Sequence, residues 1–315
     1  MTCIFRKTKT IPEIHIAAWM TWILLFLFCP LLILPTSALA VTRVVYPAGE
    51  IDGDTRFNDV IELLCTALEK TRPAYGDYQC LPSSELMPKK RFLQELESSA
   101  QTINVIWNPT SVTMEKKFLT IRIPLRKGLL GYRIAFIRRQ NQAAIDQLKT
   151  AEDLKKISLG QGVGWNDNLI YQAHGIPVVE APYSQLFKML SANRFDAFMR
   201  GVGEILPEFE RHKIDNPDMQ IEKNLLIYYP FPYYFFFNHK DIDLKNRVAA
   251  GLQIMLADGS FNAIFYKHHQ VAIERLNLKN RRVIQLSNPH LPKNTPLKDS
   301  RLWLLPYQVN GQITN

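Results

Sequence analysis

The sequence predicts an α/β protein built as two lobes, each a mainly parallel sheet flanked by helices. Three observations carry this. From Val41 onward, short strand-like runs alternate with amphipathic helix-like runs, the order that lays helices on sheet faces. The alternation occurs twice, over 44–107 and again over 150–212, with extended segments between the two series. The chain has 315 residues, 47% of them hydrophobic and 21% charged, which is enough to fill two cores of ordinary size.

The elements follow in order. Val44, Val45 and Tyr46 form a first strand. Over 57–70, Val60, Ile61, Leu64 and Leu68 share one helical face. A strand at 78–81, a helix at 89–99 and a strand at 104–107 complete the first series. Extended segments follow at 119–125 and 132–138. In the second series Thr150 caps a short helix, with Asp153 three residues on in place of the usual Glu or Gln. Strands at 157–160, 178–179 and 195–198 then alternate with helices at 166–174, 183–192 and 203–212. An extended stretch at 225–229 leads into the aromatic run 231–237, which reads as a buried strand and hinge. Helices at 244–256 and 260–276 come next. Residues 277–315, rich in Pro, Asn and Lys, read as an extended tail. The chain thus divides into 41–130 plus 231–276 as lobe 1 and 131–230 as lobe 2, joined by crossings near 126–132 and 229–233.

The first forty residues read as an address. Arg6, Lys7 and Lys9 precede an almost wholly apolar run over 16–34, and Pro35 then leads to Ala38-Leu39-Ala40. Small residues at that spacing suit a signal peptidase, so residues 1–40 read as a signal peptide cleaved after Ala40. An uncleaved anchor is the alternative, because the apolar run approaches spanning length. Both place the rest of the chain outside the cytoplasm, in the periplasm. Removing 1–40 takes Arg6, Lys7, Lys9 and Glu13, so the formal charge falls from +9 to +7. The remaining basic residues are scattered, which does not suit a nucleic-acid partner. Cys65 and Cys80 are left as a possible disulfide, with two separate buried thiols as the alternative. No CxxC pair occurs, and neither a metal nor a cofactor is expected.

Several segments resemble one family. Asn108-Pro109-Thr110-Ser111-Val112-Thr113-Met114-Glu115-Lys116 stands where that family carries a T-x-x-R ligand segment. Ile123-Pro124-Leu125 through Gly131-Tyr132-Arg133-Ile134 is similar to its first hinge crossing. Thr150–Lys155 through Gly160-Gln161-Gly162, Asn193-Arg194-Phe195-Asp196-Ala197, and Leu256-Ala257-Asp258-Gly259-Ser260-Phe261 resemble three later motifs in the right order. The family is that of type II periplasmic solute-binding proteins, in particular extracellular family 3, the ABC transporter substrate-binding domain typified by polar amino-acid receptors. The resemblance covers nearly all of 42–276 and leaves the tail outside. It implies capture of a small polar ligand, anionic or zwitterionic and amino-acid-like, between the lobes. It also implies delivery to an inner-membrane permease or a receptor, by a monomer. Two departures stand out. Lys116 occupies the place of the carboxylate-gripping Arg, and a lysine is a point charge without the bidentate fork. Gly201, beside Arg200, occupies the place of an Asp for the ligand amine.

Candidate ligand residues follow, each with a plainer role beside it. The turn Gln161-Gly162-Val163-Gly164-Trp165 joins a strand to a helix whose N-terminus suits an anion, or is an ordinary turn. Gly160-x-Gly162 with Glu180 downstream imitates a dinucleotide fingerprint but lacks its third glycine. Arg200 and Glu204 follow a strand's carboxyl end, where α/β ligands bind, or form an exposed i,i+4 pair. Trp107, Thr110, Ser111 and Lys116 follow a lobe 1 strand and either meet ligand or fill the core and cap a helix. Tyr46 is a similar candidate, and Tyr229 or Tyr233 would line the cleft. No nucleophile–base motif appears, so binding is favoured over catalysis. The alternatives are a dehydratase-like enzyme on the same fold, with Glu204 as the placed carboxylate, and a ligand-free interaction module.

Overall fold

The computed structural model describes residues 2, 41–49, 53–98 and 102–304. The expected export signal and its cleavage point lie outside the described residues.

In the first lobe β1 (Thr42–Tyr46) and β2 (Tyr78–Pro82) pair in parallel, linked through α1 (Asn58–Lys70) and the single turn α2 (Arg72–Tyr75). The apolar stripe read from the sequence faces inward: Val60, Leu63, Leu64, Ala67 and Leu68 of α1 are buried. A disulfide joins Cys65 of α1 to Cys80 of β2. After α3 (Lys89–Glu97), three strands form a second, antiparallel sheet. They are β3 (Ile106–Pro109), β4 (Leu119–Ile121) and, between them, β11 (Tyr233–Phe237). The aromatic run is buried because both faces of β11 are covered. Phe235 and Phe237 pack toward α1, whereas Tyr234 and Phe236 pack toward Leu96 and Phe118.

The second lobe is a seven-stranded sheet. Its strands are β5 (Tyr132–Arg138), β6 (Leu159–Gly162), β7 (Val178–Ala181), β8 (Ala197–Gly201), β9 (Met219–Ile221), β10 (Leu225–Tyr228) and β12 (Arg282–Gln285). The order is β12-β10-β5-β8-β6-β7, with β9 beside β5. Helices α6 (Asn166–Ala173), α7 (Tyr183–Ser191) and α8 (Val202–His212) connect or follow its parallel strands. Two shorter helices, α4 (Val112–Lys117) and α5 (Gln142–Ile145), complete the two series.

The sheets are mixed rather than mainly parallel. β6, β7 and β8 run parallel, as helical connections require. β5 and β11 run antiparallel to every strand they pair with. Each follows an interlobe crossing directly, with no α-helix to carry the chain back over the sheet.

Helices α9 (Ile242–Asp258) and α10 (Ser260–Arg275) meet at Gly259, whose φ of 83° permits an 81° bend. Among the described residues no single helix is long and apolar enough to cross a membrane. α10 serves both lobes: Phe261 and Ile264 enter the first core, while Phe265 and Ile273 enter the second.

The described part of 277–315 is not a separate tail. β12 joins the seven-stranded sheet beside β10, Leu302 and Trp303 enter the first core, and Leu304 enters the second. A four-residue strand that opens on Arg282, directly after Arg281, and a lone Trp303 give no periodic signal in the sequence.

Candidate functional site

Charged groups collect where the crossings run between the lobes. Arg133 opens β5 and is buried. Its Nη2 lies 2.6 Å from Oδ1 of Asp167, in the first turn of α6. Arg133 Nε donates to the Tyr229 hydroxyl at 3.0 Å. That hydroxyl in turn donates to Asp167 and lies 3.1 Å from the Tyr171 hydroxyl. Burial pulls the Arg133 guanidinium down, but Asp167 outweighs it and holds it above the usual value. Burial pushes both tyrosines above theirs, so a charged pair sits in a ring of neutral phenols.

Arg200 stands near the carboxyl end of β8 and is held from all sides. Its Nε and Nη2 each donate to Glu208 at 2.6 Å, and Nη2 lies 3.1 Å from Glu204. Its guanidinium lies 4.6 Å from the Trp165 ring centre and 5.6 Å from that of Tyr183. Trp165 folds back over Gly162, where a Cβ would lie 2.2 Å from the indole, so this glycine makes room for the chain's own ring. Gln161 is buried and donates to the Met199 carbonyl at 3.5 Å.

Glu204 is the least enclosed carboxylate of the group, with its side chain 43% exposed. It accepts the Gly201 N–H at 3.1 Å, at the start of α8, and lies 3.9 Å from Arg133 Nη1. Burial raises the Glu204 carboxyl, but Arg200, Arg133 and the Gly201 N–H outweigh it and hold it below the usual carboxylate range.

The first lobe contributes aromatic rings and one more arginine. Tyr46, at the end of β1, lies 6.1 Å from Trp107 of β3, and Phe57 lies 5.4 Å from Trp107 and 6.4 Å from Tyr233. Arg126, on the first crossing, lies over Phe57 and Tyr233 at 5.4 and 5.7 Å. It donates to both carboxylate oxygens of Asp59 at 2.6 and 2.7 Å, and His269 Nε2 meets the same carboxylate at 2.9 Å. Burial pushes the Tyr233 hydroxyl up to about 12, in a field shared with Arg126, Glu204, Arg133 and Asp167.

Tyr46 and Trp107 thus lie together in the first lobe, and Arg200, Glu204 and Trp165 together in the second. Thr110 and Ser111 are turned to local bonding: Thr110 donates to Glu115 at 2.8 Å, and Ser111 caps α4 by accepting the Met114 N–H at 3.2 Å. Lys116 lies exposed on α4. The sequence reading passed over Asp59, Phe57, Arg126 and Asp167 as candidates and met Arg133 only inside a hinge segment. Buried charge within an apolar strand, as at Arg133, is the signal that marks such a residue. Among the described residues no group of three or more His, Cys, Asp or Glu side chains is placed to hold a metal.

No protein-family model matches the chain, and no curated protein matches it. Solved structures do. The probable amino-acid ABC transporter extracellular-binding protein of Bacillus subtilis is 14% identical over 72% of this chain and 97% of its own, with a TM-score of 0.51. A structure from Streptococcus mutans, described for glutathione import through GshT and a cystine ABC importer, is 10% identical over 73% and 95%, at 0.49. An ancestral amino-acid-binding protein, precursor of cyclohexadienyl dehydratase, is 13% identical over 73% and 95%, at 0.47. At 14% identity the likeness to the Bacillus subtilis structure concerns the fold alone, and the chain has the two-lobed type II periplasmic-binding-protein fold.

Proposed function

We propose that the chain is an extracytoplasmic solute-binding protein that captures a small amino-acid-like zwitterion between its lobes for a transporter or receptor. One observation supports this reading: the Glu204 carboxylate, half-exposed at the start of α8, lies 3.1 Å from Arg200 and 3.9 Å from Arg133 and accepts the Gly201 N–H. The guanidiniums of Arg126, Arg133 and Arg200 are already met by Asp59, Asp167, Glu208 and Glu204. Glu204 is the carboxylate of this set whose side chain is most open to an approaching cation. A ligand ammonium on Glu204 balances that charge, facing the rings of Tyr46, Phe57, Trp107 and Tyr233. Arg200 then positions Glu204 rather than gripping an anion itself.

The test is calorimetric titration of amino acids and their des-amino analogues. An amino acid binds, its des-amino analogue does not, and Glu204→Gln weakens binding about 10- to 100-fold, the worth of one charge-assisted hydrogen bond. Unchanged affinity in the variant, or equal binding of the des-amino acid, would overturn the assignment.

A further inference from the structure

The chain's last described segment, 281–304, touches both crossings between the lobes. One end is fixed to the second lobe. Arg281 is buried, 3.1 Å from the buried carboxylate of Glu222, and its Nε donates to the Leu276 carbonyl at 2.7 Å. β12 then runs in register with β10, Arg282 beside Leu225 and Gln285 beside Tyr228. Where β10 leads into the second crossing, the segment follows it. Leu286 N–H donates to the Tyr228 carbonyl at 2.8 Å, and Asn288 Nδ2 donates to the Pro230 carbonyl at 2.9 Å.

The other end is fixed to the first crossing and the first core. Trp303 is buried among first-lobe residues and lies against Gly128, where a Cβ would sit 2.5 Å from the indole. Its Nε1 donates to the Pro296 carbonyl at 2.9 Å. Lys127 is a left-handed residue, φ 48°, a conformation that costs a non-glycine side chain and persists where its surroundings fix it. Here the segment fixes it from two sides: Lys127 Nζ donates to the Arg301 carbonyl at 2.5 Å, and Leu304 N–H donates to the Lys127 carbonyl at 2.8 Å. The Tyr132 hydroxyl closes the set by donating to the Leu304 carbonyl.

We propose that residues 281–304 form a strap that links the lobes a third time and restrains the hinge. A hinge opens by changing φ and ψ in a few crossing residues. Here those residues, 127–132 and 228–230, are bonded to a segment anchored in both cores. Opening the lobes requires Trp303 to leave its seat or the strap to shear along β10. The proposal goes beyond ligand capture, and its readout needs no ligand.

The experiment is hydrogen exchange of the whole protein, wild type against Trp303→Ala, with small-angle scattering beside it. Releasing the strap speeds exchange at 127–132 and 228–231 at least about tenfold and raises the radius of gyration, while α1 and β8 exchange as before. Wild-type rates at both crossings, with 299–304 freely exchanging in the variant, would overturn the proposal. Asn288→Ala, which removes one bond and no core side chain, is the second variant. It speeds exchange at 228–231 if the strap restrains the hinge and leaves it unchanged if not. In the wild type itself, a Leu304 amide exchanging as fast as an unprotected one also contradicts the strap. Failure of every ligand to bind bears on the proposed function and leaves these exchange rates untouched.

Discussion

Asp59 shows how a single side chain gains its role from partners far along the chain. It is buried near the start of α1, where an unpaired carboxylate would be costly. Burial alone raises its pKa, but Arg126 and His269 outweigh burial and hold it below the usual carboxylate range. Asp59→Asn leaves Arg126 without its counter-charge, and we expect a loss of about 3–5 kcal/mol in denaturant unfolding at pH 7. The sign of the pH dependence follows from the depressed pKa. The stabilisation is fully present above the unfolded value near about 4 and is lost as pH falls toward the folded value. The gap between wild type and variant therefore narrows on acidification below about pH 4. A gap constant from pH 7 to 3 would contradict this account. None of these pairings was legible in the sequence, because Asp59 and Arg126 are 67 residues apart and Asp59 and His269 are 210 apart. One nearby pair was legible: Arg200 in β8 and Glu204 in the first turn of α8 are four residues apart and do meet, at 3.1 Å. What stayed hidden was Glu208, which accepts two hydrogen bonds from the Arg200 guanidinium.

At the scale of elements, period and alternation were reliable wherever a helix or strand had one apolar face. The stripe of α1 and the strand–helix order of the second lobe stand where the sequence put them, with ends shifted by a residue or two. β12 escaped because a four-residue strand at a sheet edge, opening on Arg282, has no period to read. The antiparallel course of β5 and β11 escaped for another reason: pairing direction depends on how the chain returns, which composition does not encode. The Cys65–Cys80 link is an element-scale staple from α1 to β2 across 15 residues. Replacing both cysteines with serine should cost about 3 kcal/mol, from the larger entropy of the unfolded chain. Equal denaturation midpoints for wild type and the double variant would show that β1 and β2 hold α1 without it.

For the whole molecule, the fold and the site point the same way. Three sheets, two in the first lobe and one in the second, are joined by two short crossings, and Arg126, Arg133, Asp167 and Glu204 act together on the Tyr233 hydroxyl. Cores on either side keep the lobes rigid, so motion is confined to the crossings and to the strap that restrains them. The most direct measurement is thermal unfolding of the protein against a panel of amino acids, organic acids, sugars and polyamines. A ligand at about a hundred times its Kd stabilises a protein that binds it only when folded by about 2.7 kcal/mol. The account predicts that amino-acid-like zwitterions raise the midpoint, that their des-amino acids do not, and that Glu204→Gln removes the shift. A cooperative melt that no member of the panel moves would contradict it.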